Sequence, residues 1–364
     1  MSTIINADTS NGLKLTSDTS GEIELQSAGV TQAKVTSSGL QNASGDTITA
    51  QPGRNLLING NMQIAQRATS VTGITSTSYN TCDRWRALIT SGGTWTQSRS
   101  TDVPTGQGFE RSLKMDVTSA NTLAAADRVA LQQRIEGFNL ASVKKGTANA
   151  ESLTLSFWVK CTSTGTFIAE LGDLDNARNI SATYTVDVIN TWEKKTITFP
   201  ADTTGEFDNN NAASLDCSFW LAAGSNYTTG TLQTPWATNV SADRAVGQTD
   251  LSSNTANDFY ITGVQLEVGT VDTPFEYLQY KQQLELCQRY YFTFAGTLHG
   301  GDYSANGFVT GFFPTEMRAT PTITYSAFRS PLAGSGFGYT KTQFFSGYMG
   351  ASPYVQNLKA DAEV

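Results

Sequence analysis

The chain has 364 residues, of which 39% are hydrophobic, 10% aromatic and only 15% charged, and its net charge is −8. That length holds two or three domains. The acidic balance, with no cluster of Lys and Arg, excludes a protein that binds nucleic acid by neutralising phosphates, and no apolar run reaches the ~18–20 residues of a membrane-spanning helix.

The opening MSTIINADTSNG has neither the basic nor the apolar region of a secretory signal, so folding in the cytoplasm where the chain is made is expected. Cys82, Cys161, Cys217 and Cys287 are widely spaced and form no C-x-x-C pair, which predicts free thiols rather than a zinc site or a disulfide framework. With His299 as the single histidine, in the context LHGGDY, histidine-based catalysis and metal binding have little to work with.

Residues 1–50 carry short alternating runs, LKLTSD, EIELQSAG and TQAKVTSSG, punctuated by Gly12, Gly21, Gly29 and Gly39. They hold too few large side chains to build a core alone. The segment reads either as a polar arm or as a β-rich piece completed by other copies of itself or by a larger assembly.

From residue 51 to 274 the pattern is that of a β-sandwich, most plausibly a jelly roll. In SLTLSFWVK (152–160), Leu153, Leu155, Phe157 and Val159 share one face and Trp158 lies on the other. LDCSFWL (215–221) repeats this, with Leu215, Cys217, Phe219 and Leu221 opposite Trp220. Further strands are predicted at 55–66, 83–89, 112–118, 128–135, 166–172, 181–187, 192–199 and 257–267.

Residues 275–292 space Tyr277, Tyr280, Leu284, Cys287 and Tyr291 at steps of three and four, which predicts an amphipathic helix. Pro274 suits a first turn and Glu276 the positive end of the helix dipole. The stripe serves either to lay the helix on its own sandwich or as a seam between identical helices about a symmetry axis. Residues 293–364, rich in glycine and aromatics, predict a separate β tip with strands in FVTGFF, TPTITYSAF and TQFFSGYMG. Part of its aromatic surface is expected to be buried between subunits.

Phosphate-loop, dinucleotide-binding and H-E-x-x-H motifs are lacking, and Gly334-Ser335-Gly336 is expected to be a turn rather than a nucleophile elbow. The chain is therefore expected not to be an enzyme. Paired carboxylates of the kind that hydrolyse glycosides leave no fixed spacing in a sequence, so that alternative stays open. Carbohydrate binding has better support. Trp158 and Trp220, on the strand faces opposite the aliphatic residues, are candidates to stack on sugar rings, and so are Trp95 and Trp236 in loop-like stretches. The alternative for the first two is that their face is covered by the helix or a neighbouring subunit. No cofactor is expected. The loop ADTTGEFDNNN (201–211) offers Asp202, Glu206, Asp208 and Asn209 as oxygen ligands for Ca2+, without EF-hand spacing, and a solvated loop is the plainer reading.

The stretches NLLINGNMQIAQR (55–67) and CDRW (82–85) resemble the opening of domains found in bacteriophage tail fibre and receptor-binding proteins. FYITGVQLEVGTVDTPFEYLQYKQQLELCQRYY (259–291), FFPTEMRATPTITY (312–325) and the terminal KADAEV (359–364) are similar to later parts of such chains. The resemblance implies a homotrimeric virion fibre: an N-terminal segment attached to a tail or neck protein, a jelly roll like a carbohydrate-binding module, and a distal tip. It implies adsorption to a host surface polysaccharide or lipopolysaccharide, assembly in the host cytoplasm, and no insertion in membranes. It does not transfer a receptor. A purely structural connector and, with less support, a polysaccharide depolymerase are the competing functions.

Overall fold

A computed structural model describes residues 23–27, 30–36, 39–42, 53–299, 309–329, 337–346 and 354–363. The predicted strand in LKLTSD lies outside them. The chain divides into two units, before and after the step from Arg54 to Asn55.

In the first unit, β1 (Ile23–Ser27), β2 (Val30–Thr36) and β3 (Gly39–Asn42) form an antiparallel sheet in that order. Ile23 pairs with Val35 and Val35 with Leu40, so these three apolar side chains form one row across the sheet. Glu24 and Lys34 pair on the alternate row, where Lys34 Nζ lies 2.8 Å from the Glu24 carboxylate.

The second unit is mainly β, as expected. Its sandwich is built from β4 (Ser70–Tyr79), β5 (Arg86–Ser100), β6 (Ser112–Ser119), β7 (Arg128–Glu136), β8 (Leu153–Cys161), β9 (Gly165–Asp173), β10 (Arg178–Val186), β11 (Glu193–Phe199), β12 (Ala213–Ala223), β13 (Ala237–Thr238) and β14 (Asp258–Val268). The short helix α1 (Ser225–Thr228) follows β12. The ladder runs β11-β8-β14-β6-β5-β7-β12-β9-β10-β13, with β4 on β5.

β5 belongs to both layers. Its first part, Arg86–Thr90, pairs with β7, and its second, Thr94–Ser100, with β6. Between them Gly92 and Gly93 take φ of +91° and +87°, values that side chains disfavour. A Cβ at Gly93 would stand 2.5 Å from the Ser119 carbonyl oxygen. The strand changes layer at this glycine pair, and the two halves of the ladder face each other. The core lies between them: Phe157 of β8 meets Phe219 of β12 edge-on at 4.9 Å, and Phe167 of β9 lies 6.2 Å from Phe259 of β14. All four rings are buried.

Two sequence expectations are corrected here. Residues 55–66 are not a strand; Asn55 instead ties this loop to β14, donating to the Val264 carbonyl at 3.1 Å and accepting from Leu266 N–H at 3.1 Å. The stretch SGGTWTQS, expected to be loop-like, is part of the continuous strand β5 with a bend at its glycines, so Trp95 lies in the core and donates to the Gly92 carbonyl at 2.9 Å.

The helix α2 spans only Tyr280–Gln288, capped by reciprocal bonds between Gln279 and Gln282. Tyr277 therefore precedes the helix, packing at 5.6 Å from Phe109, and Tyr291 follows it. Cys287 and Tyr291 are buried against their own chain, Leu284 is half-buried, and Tyr280 is exposed, so the predicted seam residues do not form one exposed helical stripe. Glu276 does not serve the helix dipole; its carboxylate accepts from Asn55 N–H at 3.0 Å.

After the helix, β15 (Tyr291–His299), β16 (Thr310–Phe312), β17 (Thr322–Thr324), β18 (Ala327–Arg329), β19 (Phe337–Tyr339), β20 (Gln343–Ser346) and β21 (Tyr354–Asp361) form two small sheets. Val309, Phe313, Met317, Phe344, Val355, Leu358 and Ala360 make their core. Arg84 joins this part to the sandwich. Buried, it pairs with the buried Glu363, donates to the Arg134 carbonyl at 2.5 Å, and lies 3.4 Å above the Tyr290 ring. Arg67 makes a parallel contact, 3.1 Å from Asp361 and 3.7 Å above the Tyr291 ring.

Candidate functional site

Strand alternation sends every second side chain of β5, β7, β12, β9 and β10 away from the core. Register then sets those side chains in rows. One row runs Arg86, Gln132, Ser218, Glu170, Ser181, each opposite the next across neighbouring strands. The adjacent row runs Arg134, Asp216, Gly172, Asn179. A groove of about 330 Å³ is lined by Arg86, Gln132 and Glu170 of the first row and Arg134, Asp216 and Gly172 of the second, together with Arg128, Asp173, Arg178 and Arg244.

The first row is a hydrogen-bonded chain. Arg86 Nε donates to Gln132 Oε1 at 2.7 Å, and Gln132 Nε2 donates to Ser218 Oγ at 2.8 Å. Glu170, fully buried, receives Arg244 through two nitrogens at 2.7 and 3.0 Å and the Trp220 indole N–H at 2.9 Å. Asp173 is met by Lys145 at 2.5 Å, and Arg178 by Asp202 at 2.9 Å.

Asp216 is the exception. The residue is 5% exposed, and its buried Oδ1 has no hydrogen-bond partner among the described residues. Burial first, then the neighbouring Glu170, pushes its carboxyl up to about 7, against the opposing pull of Arg244, Arg134 and Arg86. Opposite it, Arg134 Nε is also buried and without a partner. Gly172 leaves the space that makes this a hollow, since a Cβ there would come 2.7 Å from Asp216 Oδ1.

The tryptophans proposed from sequence fare differently. Trp220 does leave the core face, but Tyr227, Leu232 and Ala245 from the segment after β12 cover it, so it is fully buried and cannot stack on a sugar. Trp95 is excluded by its place in the core. Trp236 is half-buried, its N–H donating to the Pro200 carbonyl at 2.9 Å. Trp158 is half-buried on the outer face of the other layer. Trp192, which sequence reasoning passed over, is on that layer too: its ring lies 6.3 Å from Tyr260 and its N–H donates to Asp102 at 2.9 Å. Lys160 stands 4.4 Å over Tyr260 and pairs with Asp102. The signal for Trp192 was its place one residue ahead of the strand EKKTITF.

The three acids proposed for Ca2+ do not converge. Asp202 is buried by ion pairs to Arg178 and Lys145, which hold its carboxyl below the usual carboxylate range against the cost of burial, while Glu206 and Asp208 are exposed. Among the described residues no group of three or more His, Cys, Asp or Glu is placed to hold a metal. The four cysteines are free and buried.

No protein-family profile matches the chain, and no curated protein matches it. Solved structures resemble it over part of its length. One is the enzymatically active domain of tailspike protein 4 of bacteriophage CBA120, 16% identical over 60% of this chain and 22% of that one, with a TM-score of 0.32. The chain thus spans about a fifth of that tailspike structure. Another is TmCBM61 in complex with β-1,4-galactotriose, 12% identical over 59% of this chain and 99% of that one, TM-score 0.30. A third is the CBM22-1 xylan-binding domain of Paenibacillus barcinonensis Xyn10C, 10% identical over 62% of this chain and 100% of that one, TM-score 0.28. At these identities and TM-scores the likeness transfers no ligand to the groove.

Proposed function

We propose that the sandwich binds a glycan without cleaving it, and that the chain is a bacteriophage tail fibre that adsorbs to its host through this binding. One observation carries the glycan reading: a buried carboxylate oxygen with no partner among the described residues, on Asp216, in a groove whose polar lining is otherwise arginines, Gln132, Asn239 and the ion-paired Glu170 and Asp173. A buried acceptor left unmade costs stability, and vicinal sugar hydroxyls are donors spaced to meet a carboxylate. Glu170, the neighbouring acid, is tied to Arg244 and Trp220, an arrangement suited to holding a ligand rather than to proton transfer.

The fibre reading rests on the resemblance of residues 55–67, 82–85, 259–291 and 359–364 to tail fibre and receptor-binding chains. Those stretches interlock. Asn59 Nδ2 donates to the carbonyls of Ile64 and Asp83, Gln66 donates to the Tyr291 carbonyl at 2.7 Å, and Arg84 meets Glu363. A homotrimer carrying three grooves, attached to the virion by its N-terminal segment, gains avidity from weak single sites.

The test is to stain bacteria and to probe a bacterial polysaccharide array with the fluorescently labelled full chain, beside an Asp216→Ala variant of equal thermal stability. Staining by the native chain and its loss in the variant support the reading. A structural connector stains nothing, and a depolymerase releases reducing ends from the polysaccharide it binds.

A further inference from the structure

The charges that line the groove do not balance within it. Glu170 is satisfied by Arg244, Asp173 by Lys145, and Arg178 by Asp202 and the Trp236 carbonyl. That leaves Arg86, Arg128 and Arg134 on one wall with Asp216 as the acid facing them. Arg86 spends its fork on the neutral amide of Gln132, and Arg128 donates from Nε to the Thr90 hydroxyl at 3.2 Å and lies 5.7 Å over the Tyr227 ring, with no acid as partner for either among the described residues. Arg134 and Asp216 stand directly opposite each other on β7 and β12. Each nevertheless keeps a buried polar atom, Nε and Oδ1, with no partner among the described residues. A donor and an acceptor that face one hollow without bonding each other are arranged for something that enters between them.

We propose that the occupant is an acidic glycan, whose uronate-type carboxylate is gripped by Arg134, with the charge of Arg86 beside it, while a hydroxyl of the same residue meets Asp216. The proposal rests on the glycan-binding reading above and narrows its ligand class. Arginine suits this task because its planar fork matches a carboxylate through two parallel hydrogen bonds. A neutral sugar would bring no charge to offset Arg134, whose buried Nε has no partner among the described residues. Gly172, across the strand from Asp216, supplies the room.

The groups facing Asp216 set the direction of the pH response. Arg134 and Arg128 come from β7, Arg86 from β5, Glu170 from β9, and Arg244 from the segment after β13. An incoming carboxylate adds negative charge beside Asp216 and favours its protonated form. The complex then binds more protons than the free protein, and affinity rises as pH falls through about 7. A neutral ligand donating hydroxyls to ionised Asp216 gives the opposite slope.

The experiment is calorimetric titration of the full chain with oligogalacturonate, oligoglucuronate and oligomannuronate, and with each after reduction of its carboxyls to primary alcohols, at pH 6, 7 and 8. We expect at least one acidic oligosaccharide to bind about tenfold or more tighter than its reduced form. That preference should be lost in Arg134→Gln, and affinity should increase toward pH 6 in the native chain but not in Asp216→Asn. Comparing a ligand with its reduced form needs no variant, so a misfolded mutant does not spoil the test. Equal or tighter binding of the reduced forms overturns the acid preference and leaves glycan binding standing. Binding of neither form by the folded chain overturns the acidic ligand class, and the polysaccharide array separately decides whether glycan binding survives.

Discussion

Asp216 and Gly172 are paired across β12 and β9, and the carboxylate of the first occupies the place where a side chain on the second would begin, 2.7 Å from the position of a Cβ. An alanine at this position must push either the acid or the sheet aside, and overpacking of this kind costs about 1–3 kcal/mol. Gly172→Ala is expected to keep the fold, lower the urea midpoint accordingly, and weaken glycan binding more than it weakens stability. Denaturation and titration on the same sample separate the two effects.

The two outward tryptophans have opposite roles. Trp220 is sealed beneath Tyr227 and Ala245 and hydrogen-bonded to Glu170, so Trp220→Ala should cost about 3–5 kcal/mol. It also leaves Glu170 short of a donor. Trp158 is half-buried on the other layer, and Trp158→Ala should cost much less. Chemical denaturation of the two variants checks the order.

Glu363 near the chain end is buried against the buried Arg84. Its removal strands a guanidinium that is stacked on Tyr290 and bonded to the Arg134 carbonyl. Breaking a buried pair from one side costs about 3–5 kcal/mol. Glu363→Ala is therefore expected to destabilise the sandwich itself, read as a lower denaturant midpoint in the Trp fluorescence of the core.

Burial raises the Asp216 carboxyl to about 7 and the Asp83 carboxyl to about 6. Both lie above the ordinary carboxylate value that applies in the unfolded chain, so between about pH 4 and pH 7 the folded state holds more protons. The stability these two groups allow is fully present below about pH 4 and is lost as pH rises through 6 and 7. The denaturant midpoint should be higher at pH 5.5 than at pH 8, and Asp216→Asn should flatten much of that difference.

Burial also pushes the Cys82 thiol up to about 12 and the Cys161 thiol up to about 11. With all four thiols buried, the native protein should react with a thiol-specific dye only as fast as it unfolds. Rapid labelling at pH 8 without denaturant contradicts the packing described for the core.

What the sequence determined by itself is the alternation. SLTLSFWVK and LDCSFWL announce β8 and β12, and Leu155, Phe157, Cys217 and Phe219 enter the core because a strand's period of two is a local property. The motifs at 55–67, 82–85 and 359–364, singled out in the sequence, lie in the framework, where Asn55, Asn59, Arg84 and Glu363 each meet fixed partners. The helix was legible in kind but not in extent, since the spacing continues past both ends while capping at Gln279 decides where it starts.

Only the tertiary structure decided the site. That Arg134 stands opposite Asp216, and Asp216 opposite Gly172, is a matter of register between strands distant in sequence, and no local pattern encodes it. Alternation correctly turned Trp220 away from the core, but whether that face meets water depended on the segment after β12, which folds back over it. The same holds for Gly92 and Gly93, whose local preference for a turn is met by a bend within one strand because both layers need β5 as their shared edge. Side-chain period is set by the backbone alone, whereas pairing partners and coverage are set by what the rest of the chain brings alongside.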